Sequence, residues 1–79
     1  MPTLYQLRQK SGMGLAAIVQ NAREIDPFFP ATHVGLIKIE QRGTTDYWQI
    51  KALSGVYNYP MEEMALIARP TNRKNLSNK

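Results

Sequence analysis

The sequence predicts an all-α fold, a compact set of five short helices in one domain, and three observations lead there. Apolar residues recur at helical spacing, most clearly Leu15, Ile18, Val19, Ala22 and Ile25, which fall at i, i+3, i+4, i+7 and i+10 and form one stripe. Glycine or proline punctuates the chain between such stretches, at Gly12, Gly14, Pro27, Pro30, Gly43, Gly55, Pro60 and Pro70. No stretch alternates apolar and polar residues for long enough to build a sheet.

The elements follow in order. Pro2 and Thr3 suit a helix start, and Leu4, Leu7 and the aliphatic stem of Arg8 give the first helix its apolar side before Gly12 ends it. Met13 and Gly14 turn the chain into the second helix, the stripe from Leu15 to Ile25. Asp26-Pro27-Phe28-Phe29-Pro30 cannot continue it, because each proline lacks an amide donor and drives the preceding residue out of helical geometry. Thr32 can cap a third helix, about 32–41, with Leu36, Ile39 and Glu40 on one side and His33, Val34, Ile37 and Lys38 elsewhere; Gly43 closes it. The oxygens of Thr44, Thr45 and Asp46 can cap a fourth helix over 47–53, which Gly55 is expected to end. Pro60 fits a first helical position, with Glu62 and Glu63 well placed against the helix dipole of a fifth helix that Pro70 stops. The domain is expected to span 1–68, and 69–79 reads as a flexible basic tail.

Composition narrows the function classes. The 79 residues are 43% hydrophobic and 20% charged, enough for one core and outside the disordered class. With no cysteine there is no disulfide or thiolate chemistry, and the expected compartment is the cytoplasm. The longest apolar run, 15–19, is far short of a membrane span, so no membrane partner is expected. The net charge of +4 is unevenly spread: residues 1–23 carry Arg8, Lys10 and Arg23 without an acid, and 69–79 carry Arg69, Arg73, Lys74 and Lys79 without one. Between them Lys38, Arg42 and Lys51 face all six acids. Basic ends suit a polyanion, and they also suit plain solubility. One histidine, no phosphate-binding loop and a single adjacent carboxylate pair at a helix start leave no enzyme constellation, no metal site and no cofactor.

Three features in fixed order carry a family resemblance. Arg8 stands four residues before Gly12, Ile18-Val19 form an aliphatic pair in the second helix, and Ile39-Glu40 come shortly before Gly43. With looser matches at Lys51-Ala52-Leu53 and Pro60-Met61-Glu62-Glu63-Met64, residues 3–68 resemble the Cro- and Xre-like phage-repressor family of helix-turn-helix DNA-binding domains. The chain departs from that pattern in having extra residues over 23–31, Gly14-Leu15 where a glutamine is usual, and Gly43 one residue late.

The resemblance implies a sequence-specific, double-stranded-DNA-binding transcriptional regulator, a homodimer, with its third helix in the major groove. It puts His33, Val34, Ile37 and Lys38 in the base-reading slots. Lys38 can donate to guanine O6 and N7, His33 can donate or accept, and Val34 or Ile37 can pack on a thymine methyl. Gly35 is expected to let the backbone come close. Phosphate contacts fall to Lys10, Arg42, Thr44 and Thr45 with the start of the second helix, although the two threonines can equally serve as caps. The resemblance also puts Arg8 against Glu40, and the chemistry agrees: a carboxylate among aliphatic neighbours needs a cation, and guanidinium matches it bidentately. Phe28 and Phe29 are expected to tuck the lengthened turn onto the core. The alternative is a protein-interaction or antitoxin-like module that holds a partner through the Phe28-Phe29 loop and the C-terminal helices.

Overall fold

Thr3 begins the first helix by a reciprocal exchange: its hydroxyl accepts from the Gln6 amide at 3.2 Å, and the Gln6 side chain accepts from the Thr3 amide at 2.9 Å. The computed structural model, which describes residues 1–70, continues from this cap through five helices. They are α1 (Leu4–Ser11), α2 (Leu15–Ile25), α3 (His33–Arg42), α4 (Tyr47–Tyr57) and α5 (Met61–Ile67), with no strand among the described residues. The protein is a small all-α domain. The basic tail expected over 69–79 lies, from residue 71 onward, outside the described residues.

Residues spaced for one helical side meet in one core. Ile18, Val19 and Ala22 of α2 face Ile50, Ala52 and Leu53 of α4, and this pairing is the main interface of the fold. Leu4 and Leu7 close it from α1, Leu36 and Ile39 from α3, and Met64, Ile67 and Ala68 from the α5 end. Burying one such side chain is worth about 1.5 to 3 kcal/mol. Without disulfides, this packing has to outweigh the chain entropy lost on folding.

Gly55 does not end α4. The helix runs two residues further, to Tyr57, and is ended by Asn58, which takes the left-handed conformation (φ 59°, ψ 49°). Continuing brings Val56 and Tyr57 against the core. A Cβ there would meet the end of the Ile25 side chain of α2, Cδ1 at 2.3 Å. Pro60, too, sits one position earlier than expected, as the residue before α5, its carbonyl accepting from the Met64 amide. The helix ends at Ile67, before Pro70 is reached.

Residues 26–32 link α2 to α3. The expectation for its two phenylalanines divides. Phe29 is completely buried, while Phe28 is 92% exposed. The link is tied by near neighbours: Asp26, itself buried, accepts through Oδ1 from the Phe28 amide, the Phe29 amide donates to the Asp26 carbonyl, and Arg23 Nη1 donates to the Phe29 carbonyl at 2.6 Å. Those bonds fix the backbone with Phe29 turned in, and the alternate side chain, Phe28, is thereby turned out.

Candidate nucleic-acid interface

The face that α3 turns to solvent is defined by what its other face is doing. Thr32 caps the helix, its hydroxyl accepting from the Gly35 amide at 3.0 Å. Leu36, Ile39 and Glu40 follow at helical spacing and are all buried. Leu36 and Ile39 join the core, whereas the Glu40 carboxylate receives Arg8 of α1, Nε to Oε2 at 2.6 Å and Nη2 to Oε1 at 3.1 Å. This is a two-point match between rigid, planar groups, so it sets the rotation of α3 as well as neutralising the buried charge. Removing one partner of such a pair costs about 3 to 5 kcal/mol, because the other charge is left buried alone. Among the described residues no buried side-chain nitrogen or oxygen lacks a partner.

Two tyrosines sense the pair. The Arg8 guanidinium lies over the Tyr5 ring, 5.2 Å from its centroid. The hydrogen bond to Glu40 holds the Arg8 pKa above its ordinary value. Tyr57 is held well above the ordinary tyrosine range, chiefly by burial and further by the charge of Glu40.

With that face fixed, α3 presents His33, Val34 and Lys38 outward, all exposed, and Gln41 and Arg42 continue the exposed surface to its C-terminal end. Ile37 is placed differently. It is half-buried and lines a hollow of about 370 Å³ with Tyr5, Arg8, Glu40 and Gln41, at the edge of the outward face toward α1. Gly35 is needed by the protein itself, since a Cβ there would stand 2.5 Å from Cβ of Pro30 in the preceding link. Its role is to let the link pack against α3, in place of the close approach to DNA expected from sequence.

The residues expected at phosphates separate into groups. Arg42 and Thr45 are exposed at the end of α3 and in the link 43–46 that follows. Thr44 is buried and falls out of the set: its hydroxyl is engaged with the Gln49 side chain and accepts from the Asp46 amide, and its own amide donates to the Ala68 carbonyl at 2.7 Å. The α4 cap is Asp46, whose Oδ1 accepts from the Gln49 amide. Lys10 is exposed at the end of α1, beside a hollow lined by Leu7, Met13, Val56, Tyr57 and Tyr59, none of them from α3. At the start of α2, Gly14 provides no side-chain cap, so the first-turn amides are open to an outside acceptor.

At the start of α4, Tyr47 and Trp48, which the sequence suggests as core or dimer surface, are absent from the core and exposed, and Lys51 lies over the indole, 5.0 Å from its ring centroid. The spacing of three residues between Trp48 and Lys51 was the available signal. Among the described residues no cluster of three or more His, Cys, Asp or Glu is placed to hold a metal ion, and no helix is long and apolar enough to cross a membrane. The chain has no detectable match among known families, characterised proteins or solved structures.

Proposed function

We propose that this protein is a sequence-specific regulator that binds duplex DNA in the manner of Cro- and Xre-like domains, with the outward face of α3 in the major groove. One observation carries the reading: α3 is locked from behind by Leu36, Ile39 and the Arg8–Glu40 pair, and offers His33, Val34 and Lys38 to solvent. A base-reading helix needs both properties, because hydrogen-bond discrimination at base edges depends on a backbone that does not roll. The only acid of α3, Glu40, is neutralised inside, so the exposed charge of the helix is basic. Arg42, Thr45, Lys10 and the open amides of α2 supply phosphate contacts. Ile37, half-buried at the edge of the face, offers only part of its side chain to a thymine methyl. Two copies related by a twofold axis would place two such helices on half-sites about one helical turn apart.

The test is affinity for a selected duplex as a function of salt. Binding falls with log salt by a slope of about 0.9 for each phosphate neutralised, and Lys38→Ala changes the preferred sequence. A flat salt response, or unchanged preference in Lys38→Ala, refutes the reading.

A second reading has one observation in its favour. Phe28, fully displayed on a link held by its own hydrogen bonds, suits a protein-interaction or antitoxin-like module. Because Phe29 belongs to the core, only Phe28→Ala tests it cleanly. A variant that stays folded and keeps DNA affinity but no longer holds a protein partner would establish that role; one that weakens DNA binding would assign Phe28 to the duplex.

A further inference from the structure

We infer that the first turn of α4 is a second nucleic-acid site, a stacking platform for unpaired bases formed by Tyr47 and Trp48 with Lys51 as the neighbouring cation. The two rings meet edge to face, 5.4 Å between centroids and 85° between planes, and both are more than half exposed. Neither belongs to the core, to which α4 gives Ile50, Ala52 and Leu53 with Val56 and Tyr57 packed alongside. Large aromatic surfaces left in water beside a cation are the chemistry that holds single strands, since every base has a π-face and every phosphate a charge.

The platform is also held rigid, which limits the entropy lost on binding. Asp46 caps α4, Thr44 ties the preceding link to Gln49 and to the Ala68 carbonyl, and Lys51 steadies the indole. Charge selects the occupant. From α3 to Lys51 the exposed charges are Lys38, Arg42 and Lys51 against Asp46, one oxygen of which is engaged by the Gln49 amide. A second copy brought across a twofold axis through this patch would set Lys51 close to its own equivalent, whereas a polyanion is attracted to it. Intact duplex keeps its base faces stacked inside, so the aromatic surface favours unpaired strand of DNA or RNA.

Trp48 is the sole tryptophan, so its emission reports on this patch and nowhere else. The full chain is titrated with oligo(dT), oligo(U) and a blunt duplex of equal length. Saturable quenching by a single strand, weakened by salt and exceeding that by the duplex, is expected; quenching by oligo(dT) alone identifies DNA as the source, by oligo(U) alone RNA. Measured by anisotropy of a labelled strand, Trp48→Leu lowers single-strand affinity about tenfold and Trp48→Phe retains most of it. Circular dichroism verifies that each variant is folded, and Lys51→Gln, which leaves both rings in place, gives a smaller loss. No quenching by either strand, equal quenching by duplex, unchanged affinity in Trp48→Leu, or an emission change that follows protein concentration alone each overturns the proposal. This test is separate from that of α3: it reads Trp48 emission and single-strand affinity, whereas Lys38→Ala is read there as a change of duplex preference.

Discussion

The connections on either side of α3 are both ordered, and they are ordered by different parts of the chain. Residues 26–32 hold themselves. Asp26, Phe28, Phe29 and Arg23 exchange hydrogen bonds over no more than six positions, and Pro30 rests against Gly35 three residues after the Thr32 cap. Residues 43–46 are held from the far end of the fold, where the Ala68 carbonyl receives the Thr44 amide and the backbone of Ala68 and Pro70 comes close to Gly43. The hydrogen bonds of the first connection are therefore all local, with Phe29 alone reaching into the common core, while those of the second include one from the α5 end. Both ends of α3 are held, by local hydrogen bonds at one and by a long-range hydrogen bond at the other.

The largest effect that would break this contrast comes from the buried anchor of the first connection. Phe29→Ala removes a completely buried ring and is expected to cost about 3 to 5 kcal/mol, readable as a fall of ten degrees or more in melting temperature. At the second connection, Gly43 has φ 77° and ψ −179°, a combination essentially restricted to glycine, and an added Cβ would lie 2.7 Å from the Ala68 carbonyl oxygen and from Pro70 Cα. Gly43→Ala is expected to cost about 1 to 3 kcal/mol, with amide exchange of α5 accelerated together with that of the link. Were α5 exchange unchanged in a destabilised Gly43→Ala, the long-range account of this connection would fail.

A smaller, pH-dependent effect touches neither connection. Tyr57 keeps its proton in the folded protein to higher pH than in the unfolded chain, where it ionises near 10. Its contribution is therefore complete below about pH 10 and is lost as pH rises through the raised folded value. In urea melts from pH 8 to 11.5, Tyr57→Phe is expected to flatten the alkaline fall in stability, while the ratio of the Phe29→Ala and Gly43→Ala costs stays the same. The smallest effect separates neighbours within one connection: Phe28→Ala is expected to change stability by less than about 0.5 kcal/mol, because its side chain is already in water. A cost close to that of Phe29→Ala would mean that Phe28 is packed in solution.

Much of this was legible residue by residue. Thr3, Thr32 and Asp46 are residue types whose side chains satisfy first-turn amides, and all three cap in the structure. The stripe of α2 and the buried trio of α3 lie at the spacing that one helical face requires. Gly55 was misread because the cost of an interior glycine is local, whereas the packing of Val56 and Tyr57 beyond it involves the common core. Thr44 misled for the same reason: a threonine beside a helix start looks available until the α5 end covers it. The division of Phe28 from Phe29 was hidden because two identical side chains in sequence carry no sign of which one turns inward.

The sequence by itself determined the class of fold, the number of helices and most of their beginnings, since helical period, capping and proline geometry act within a few residues. It also contained the requirement for a cation at Glu40, because desolvating a lone carboxylate is costly in any fold. Tertiary structure alone decided where α4 stops, which phenylalanine is buried, that Gly35 makes room for Pro30, that Thr44 is inaccessible, and that Tyr47 and Trp48 remain in water. Those outcomes depend on distances between residues far apart in the chain, and local periodicity carries no information about such distances.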